Sequence, residues 1–129
     1  MHKALLHHRS DLTTIATWAM FSRGLKPEFS ASVWQQLGRI KGPAHEAGDH
    51  ILDLTALPWC SIDNDDSRDL DQLTTIQTLD HGRVRLLVAI ADVDALVAKD
   101  SAIDQHARIN TTSVYTSARV FPMLPERLC

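Results

Sequence analysis

The chain has 129 residues, 44% hydrophobic and 22% charged, with a formal net charge of −3. This is ordinary globular composition, long enough for one domain with an accessory segment, and it excludes a global basic field of the kind that advertises nucleic-acid binding. Two distant cysteines, Cys60 and Cys129, exclude a disulfide framework, and the longest apolar stretch, residues 86–91, is far too short to span a bilayer. A soluble protein of a reducing compartment, the cytoplasm, with no membrane partner is expected.

Residues 1–50 read as a helical leader. Ser10 or Asp11 can cap a helix whose apolar positions, Leu12, Ile15, Ala16, Ala19 and Met20, follow helical spacing, and Gly24 suits its stop. Ser30 is a second N-cap, followed by Val33, Trp34, Leu37 and Ile40 up to Gly42-Pro43. A helical hairpin is the reading; a DNA-binding helix-turn-helix is disfavoured because the second helix lacks a dense set of Arg, Lys, Asn and Gln. Residues 43–58 are a Pro-, Gly- and His-bearing connector. Residues 73–79 read as a strand, Asp80-His81-Gly82 as a turn, and 84–91 as a strand buried on both faces. Short helical pieces are expected at 93–98 and 101–109, the latter capped by Ser101, and then a short strand among Pro-limited turns.

Between connector and first strand lies S-I-D-N-D-D-S-R-D-L-D-Q, residues 61–72, with five carboxylates (Asp63, Asp65, Asp66, Asp69 and Asp71) and one cation, Arg68. Such crowding costs Coulomb energy unless water or a cation screens it. In an extended segment Asp69 and Asp71 point the same way, and a turn over 64–68 would return Asp63 to meet them. Three converging carboxylates would suit Mg²⁺, with Mn²⁺ as an alternative. The calcium-loop template fails: counted from Asp63, Arg68 stands where Gly is required and Thr74 where Glu is. A solvated, Asp-rich surface turn is the other reading of the same run.

Read together with V-A-I-A-D-V at 88–93, T-S-V-Y at 112–115 and V-F-P-M-L-P-E-R-L at 120–128, the run resembles the start of the RNB catalytic domain of the ribonuclease II/ribonuclease R family. The resemblance runs from about Leu52 to the end, and the leader is similar to a short helical region of a bacterial subgroup. It implies an α+β fold, with a helical hairpin leader (1–50) followed by the first strands and helices of a mixed-sheet RNB domain (51–129), truncated. It also implies a metal-dependent hydrolytic exoribonuclease acting on single-stranded RNA from the 3′ end and releasing 5′-mononucleotides. Asp63, Asp69 and Asp71 match the family's catalytic, metal-binding acids, and Tyr115 matches the aromatic residue that stacks on the terminal nucleotide. The sequence departs from the family at Gln72, where a fourth acid is usual, and in its length, so a fragment inactive alone is expected. A non-catalytic RNA-binding or regulatory module is the alternative, and a plain metal-binding or structural domain a third.

Seven histidines show no zinc spacing. His106 is expected at the surface of its helix, and Cys60 as a buried structural thiol.

Overall fold

The computed structural model describes residues 2–44, 48, 50–65, 67 and 71–128, with side chains from residue 11 onward. The elements run α1 (His2–Ser22), α2 (Ala31–Leu37), β1 (Gln72–Thr78), a 3₁₀ turn (Asp80–Gly82), β2 (Val84–Ile90), α3 (Ala102–Asn110), β3 (Val114–Tyr115), β4 (Val120–Phe121) and a closing 3₁₀ turn (Glu126–Leu128). The class is α+β, as expected. The chain divides into two compact units, residues 1–41 with 97–128, and residues 42–96.

The first unit holds the hydrophobic core. Met20, Val33, Leu37, Val97, Ile103 and Phe121 are its buried apolar residues. The anticipated caps are present: Ser30 Oγ accepts from Val33 N, and Ser101 Oγ accepts from Asp104 N, each at 3.4 Å. The Ser30 and Ser101 residues are extended, so each leaves its oxygen over the first turn of the helix. Gly24, at φ +76°, ends α1 with Leu25 N donating to the Met20 carbonyl. Ile103, His106 and Asn110 share the inward stripe of α3, which packs on α2.

Four expectations for this unit need correction. Helix α1 does not start at Ser10 or Asp11 but runs through both. Of the stripe proposed for that helix only Met20 is buried, while Leu12 and Ile15 are exposed, and α2 and α3 pack together in the core of this unit. Helix α2 stops at Leu37, since Gly38 is the C-cap and Lys41 Nζ satisfies the Gly38 carbonyl. His106 is buried, because its position three residues after Ile103 places it on the packed stripe.

In the second unit β1 and β2 form an antiparallel hairpin, Gln72 opposite Ile90 and Thr78 opposite Val84. The Asp80-His81-Gly82 turn closes it with His81 (φ 61°) and Gly82 (φ +69°) left-handed, and Leu79 N donates to the Arg83 carbonyl at 2.8 Å. Cys60 extends the sheet by one antiparallel bridge to Thr74. Residues 93–98 form turns rather than a helix, with Leu96 N on the Val93 carbonyl.

The expectation that 84–91 is buried on both faces is overturned. Register puts Ile76, Val84, Leu86, Val88 and Ile90 on one face, and Ile76 (62%), Leu86 (63%) and Ile90 (63%) remain mostly exposed. Among the described residues of this unit only Thr75, on the other face, is buried. A two-stranded ribbon has no second layer of its own to cover both faces. Cys60 is likewise exposed rather than buried, because its partner Thr74 lies on that same open face.

Candidate functional site

The acidic run enters β1 directly. Asp63 lies in an exposed irregular segment, and a turn follows it, closed by Ser67 N on the Asn64 carbonyl at 3.0 Å. This is the turn that Asn64, Asp65 and Ser67 favour by composition. Asp71 stands one residue before β1, exposed, and its carbonyl accepts from Ala91 N at 2.8 Å, continuing the hairpin ladder by one bond. The backbone of Asp71 is thereby held by the strand pair while its carboxylate stays in water. Gln72, the neutral residue beside it, is the first of β1.

Asp69 lies outside the described residues, as do Asp66 and Arg68. Among the described residues no three His, Cys, Asp or Glu side chains gather into a metal-holding group. Asp63 and Asp71 nevertheless offer exposed carboxylate oxygens, the hard donors that Mg²⁺ and Mn²⁺ take. At the same end of the hairpin, Asp92 Oδ1 accepts from Ala95 N at 3.4 Å and shapes the turn that leaves β2.

Tyr115 belongs to the other unit. It sits in β3 opposite Val120, and this pair faces outward, Tyr115 being 66% exposed, whereas the adjoining pair Val114 and Phe121 turns Phe121 into the core. The outward ring is the geometry that base stacking needs, with one strand residue facing the core and the next facing solvent. The turn beyond it is closed three times between Thr116 and Arg119: Thr116 N donates to the Arg119 carbonyl (3.1 Å), Thr116 Oγ1 donates to the same carbonyl (2.6 Å), and Arg119 N donates to Thr116 Oγ1 (3.0 Å).

Two groups around this hairpin escaped the reading of the sequence. Arg119 Nη1 pairs with Glu28 Oε1 at 2.5 Å, its guanidinium lying 4.7 Å from the Phe121 ring centroid. The bond from Arg119 holds the Glu28 carboxyl below its ordinary pKa, and Glu28 in turn raises that of Arg119. His106, buried against Phe29 with ring centroids 4.4 Å apart, meets Asn110 Nδ2 at 3.0 Å. Glu28 and Arg119 are 91 residues apart, and no local pattern could have joined them.

Comparison with known proteins supplies the rest. The RNB domain family matches residues 51–129. Ribonuclease R of Vibrio cholerae is 42% identical over 102 residues, covering 78% of this chain and 12% of that protein. Ribonuclease R of Escherichia coli is 41% identical over 98 residues, covering 75% and 12%. The chain thus spans about an eighth of the length of these curated relatives. Among solved structures, Mycoplasma genitalium RNase R in complex with double-stranded RNA has a TM-score of 0.73 and 34% identity, over 84% of this chain and 20% of that one. The same enzyme in complex with ribose-methylated single-stranded RNA matches equally, over 84% and 17%.

Proposed function

The chain belongs to the RNB domain family, and from that premise we propose that it forms part of a ribonuclease R-type exoribonuclease. The activity would be metal-dependent hydrolysis of single-stranded RNA from the 3′ end, releasing 5′-mononucleotides in the cytoplasm. One observation carries this reading: a single family match, residues 51–129, takes in both the acidic run and the Tyr115 hairpin. Relatives of known name over most of this chain are ribonuclease R, and the M. genitalium enzyme is described with RNA bound.

Asp63, Asp69 and Asp71 are the residues proposed to hold Mg²⁺, or Mn²⁺ in its place. Bound there, the metal would lower the pKa of a water and offset negative charge at the scissile phosphate. The protein's part is placement. Asp71 is fixed through its own carbonyl to the first rung of the β1–β2 ladder, so its carboxylate is presented from a paired backbone. Tyr115 offers an outward ring for the base of the terminal nucleotide, a contact indifferent to base identity. The 129-residue chain by itself is proposed to bind RNA without turnover.

A second reading, an RNA-binding module without turnover in any setting, draws on Gln72, which removes one negative charge from the cluster. The two separate in a chimera of V. cholerae ribonuclease R carrying residues 51–129 of this chain at the matching positions. Mononucleotide release that needs Mg²⁺ and stops in Asp71→Asn, with RNA binding nearly intact, is the expected result. A chimera that binds RNA and releases nothing favours the module, and full release by Asp71→Asn removes Asp71 from the catalytic set.

A further inference from the structure

The hairpin that carries Tyr115 is tied to the leader at two points. The Asn110 amide clasps the Lys26 backbone from both sides: Lys26 N donates to Oδ1 at 2.8 Å, and Nδ2 donates to the Lys26 carbonyl at 2.9 Å. Two residues on, Glu28 receives Arg119 Nη1 at 2.5 Å, while Arg119 Nη2 donates to the Pro27 carbonyl at 3.4 Å. Asn110 ends α3 and Arg119 closes the β3–β4 turn, so the two anchors bracket Tyr115. The segment 26–28 itself lies outside the 51–129 covered by the family match.

We infer that Lys26–Glu28 is a positioning strap for Tyr115, with Glu28 acting through Arg119 to fix the turn beside the ring that stacks on RNA. This rests on the reading of Tyr115 as a stacking residue. Strands β3 and β4 have two residues each, and a ribbon that short does not hold its own orientation. Its direction is therefore set by Phe121 in the core and by what grips its two ends. Asn110 grips the entrance, and the left-handed Thr111 (φ 59°) redirects the chain into β3. Arg119 grips the turn, its guanidinium preset by the Phe121 ring below it. Stacking rewards a ring already held in place, because less freedom is lost on binding. The Glu28 carboxylate is largely exposed, so the ion pair adds little to overall stability and its effect on the turn is separable from folding.

The test uses the 129-residue chain with Glu28→Gln, Glu28→Arg, Arg119→Glu and the reversed pair Glu28→Arg/Arg119→Glu. Two quantities are measured: hydrogen exchange at the Thr116 and Arg119 amides, and affinity for a fluorescent oligoadenylate, with Tyr115→Ala as reference. Glu28→Gln is expected to speed exchange at those amides about two- to fivefold and weaken the oligonucleotide to a similar extent. Amides within α3 should not change, and the reversed pair should restore both quantities. Unchanged exchange and affinity in Glu28→Gln, or an equal loss across α3 without rescue, overturns the strap. If Glu28→Gln loosens the turn while Tyr115→Ala leaves affinity untouched, the stacking reading fails and the positioning role falls with it. If Tyr115→Ala weakens binding and Glu28→Gln does nothing, the stacking reading survives and only the strap is lost.

Discussion

The Asn110 side chain determines the protonation of His106. Its amide is oriented by the Lys26 backbone, which needs an acceptor at Oδ1 and a donor at Nδ2. The second hydrogen on Nδ2 then points to His106 Nε2, 3.0 Å away, so that nitrogen accepts and the imidazole proton sits on Nδ1. Burial, and secondarily the charge of Lys26, push the His106 imidazole below its ordinary pKa of 6.5. The folded chain therefore binds fewer protons here than the unfolded chain. The stabilisation is whole above the unfolded value and is lost as pH falls below 6.5 toward the depressed folded value. Urea midpoints should be level near neutrality and fall through that window, and His106→Gln should flatten the fall. Asn110→Ala leaves the Lys26 N–H and carbonyl without their partner at a partly buried site, and should cost about 1–2 kcal/mol in the same measurement.

Helix α3 and the β1–β2 hairpin present opposite balances of apolar surface. Ile103 is fully buried at the α2–α3 contact, where its backbone N also donates to Gln36 Oε1 at 3.0 Å. Ile103→Ala should therefore lower unfolding stability by about 2–5 kcal/mol, the transfer loss plus the cavity left behind. The hairpin shows the reverse: five aliphatic side chains share one face and all are exposed. Leu86→Ser should change unfolding stability by less than about 0.5 kcal/mol, leaving the thermal midpoint nearly unmoved, because little burial is lost. It should also reduce self-association seen by light scattering, since a contiguous apolar patch is removed. A large loss of stability in Leu86→Ser would show that this face is covered in solution.

Across the chain, core and candidate catalytic acids are apportioned to different units. Among the described residues, the six buried hydrophobic side chains belong to residues 1–41 and 97–128, while Asp63 and Asp71 belong to residues 42–96, where Thr75 is the one buried residue described. Local opening costs least where few apolar contacts are broken. Hydrogen exchange should accordingly be slowest in α2 and α3 and markedly faster in β1 and β2, although the strands are fully laddered. Equal protection in both would contradict the division. The acidic run is thus attached to the unit with fewer buried residues described.

The local grammar was readable from residue order alone. Ser30 and Ser101 cap helices, Gly24 stops one, Asp80-His81-Gly82 turns a hairpin and Asn64–Ser67 makes the bend inside the acidic run, because each depends on contacts a few residues long. The family blocks at 61–72, 88–93, 112–115 and 120–128 were likewise legible, since they are patterns of residue type. Burial was not. The 84–91 run has the composition of a central strand, yet whether it is covered depends on a layer that composition cannot supply, and in this chain the face stays open. His106 and Cys60 were misplaced for the same reason, one drawn inward by Phe29 and Asn110, the other left outside by the register of Thr74. The Glu28–Arg119 tie belongs wholly to tertiary structure: two charges 91 residues apart meet because α3 packs on α2 and carries the next hairpin with it.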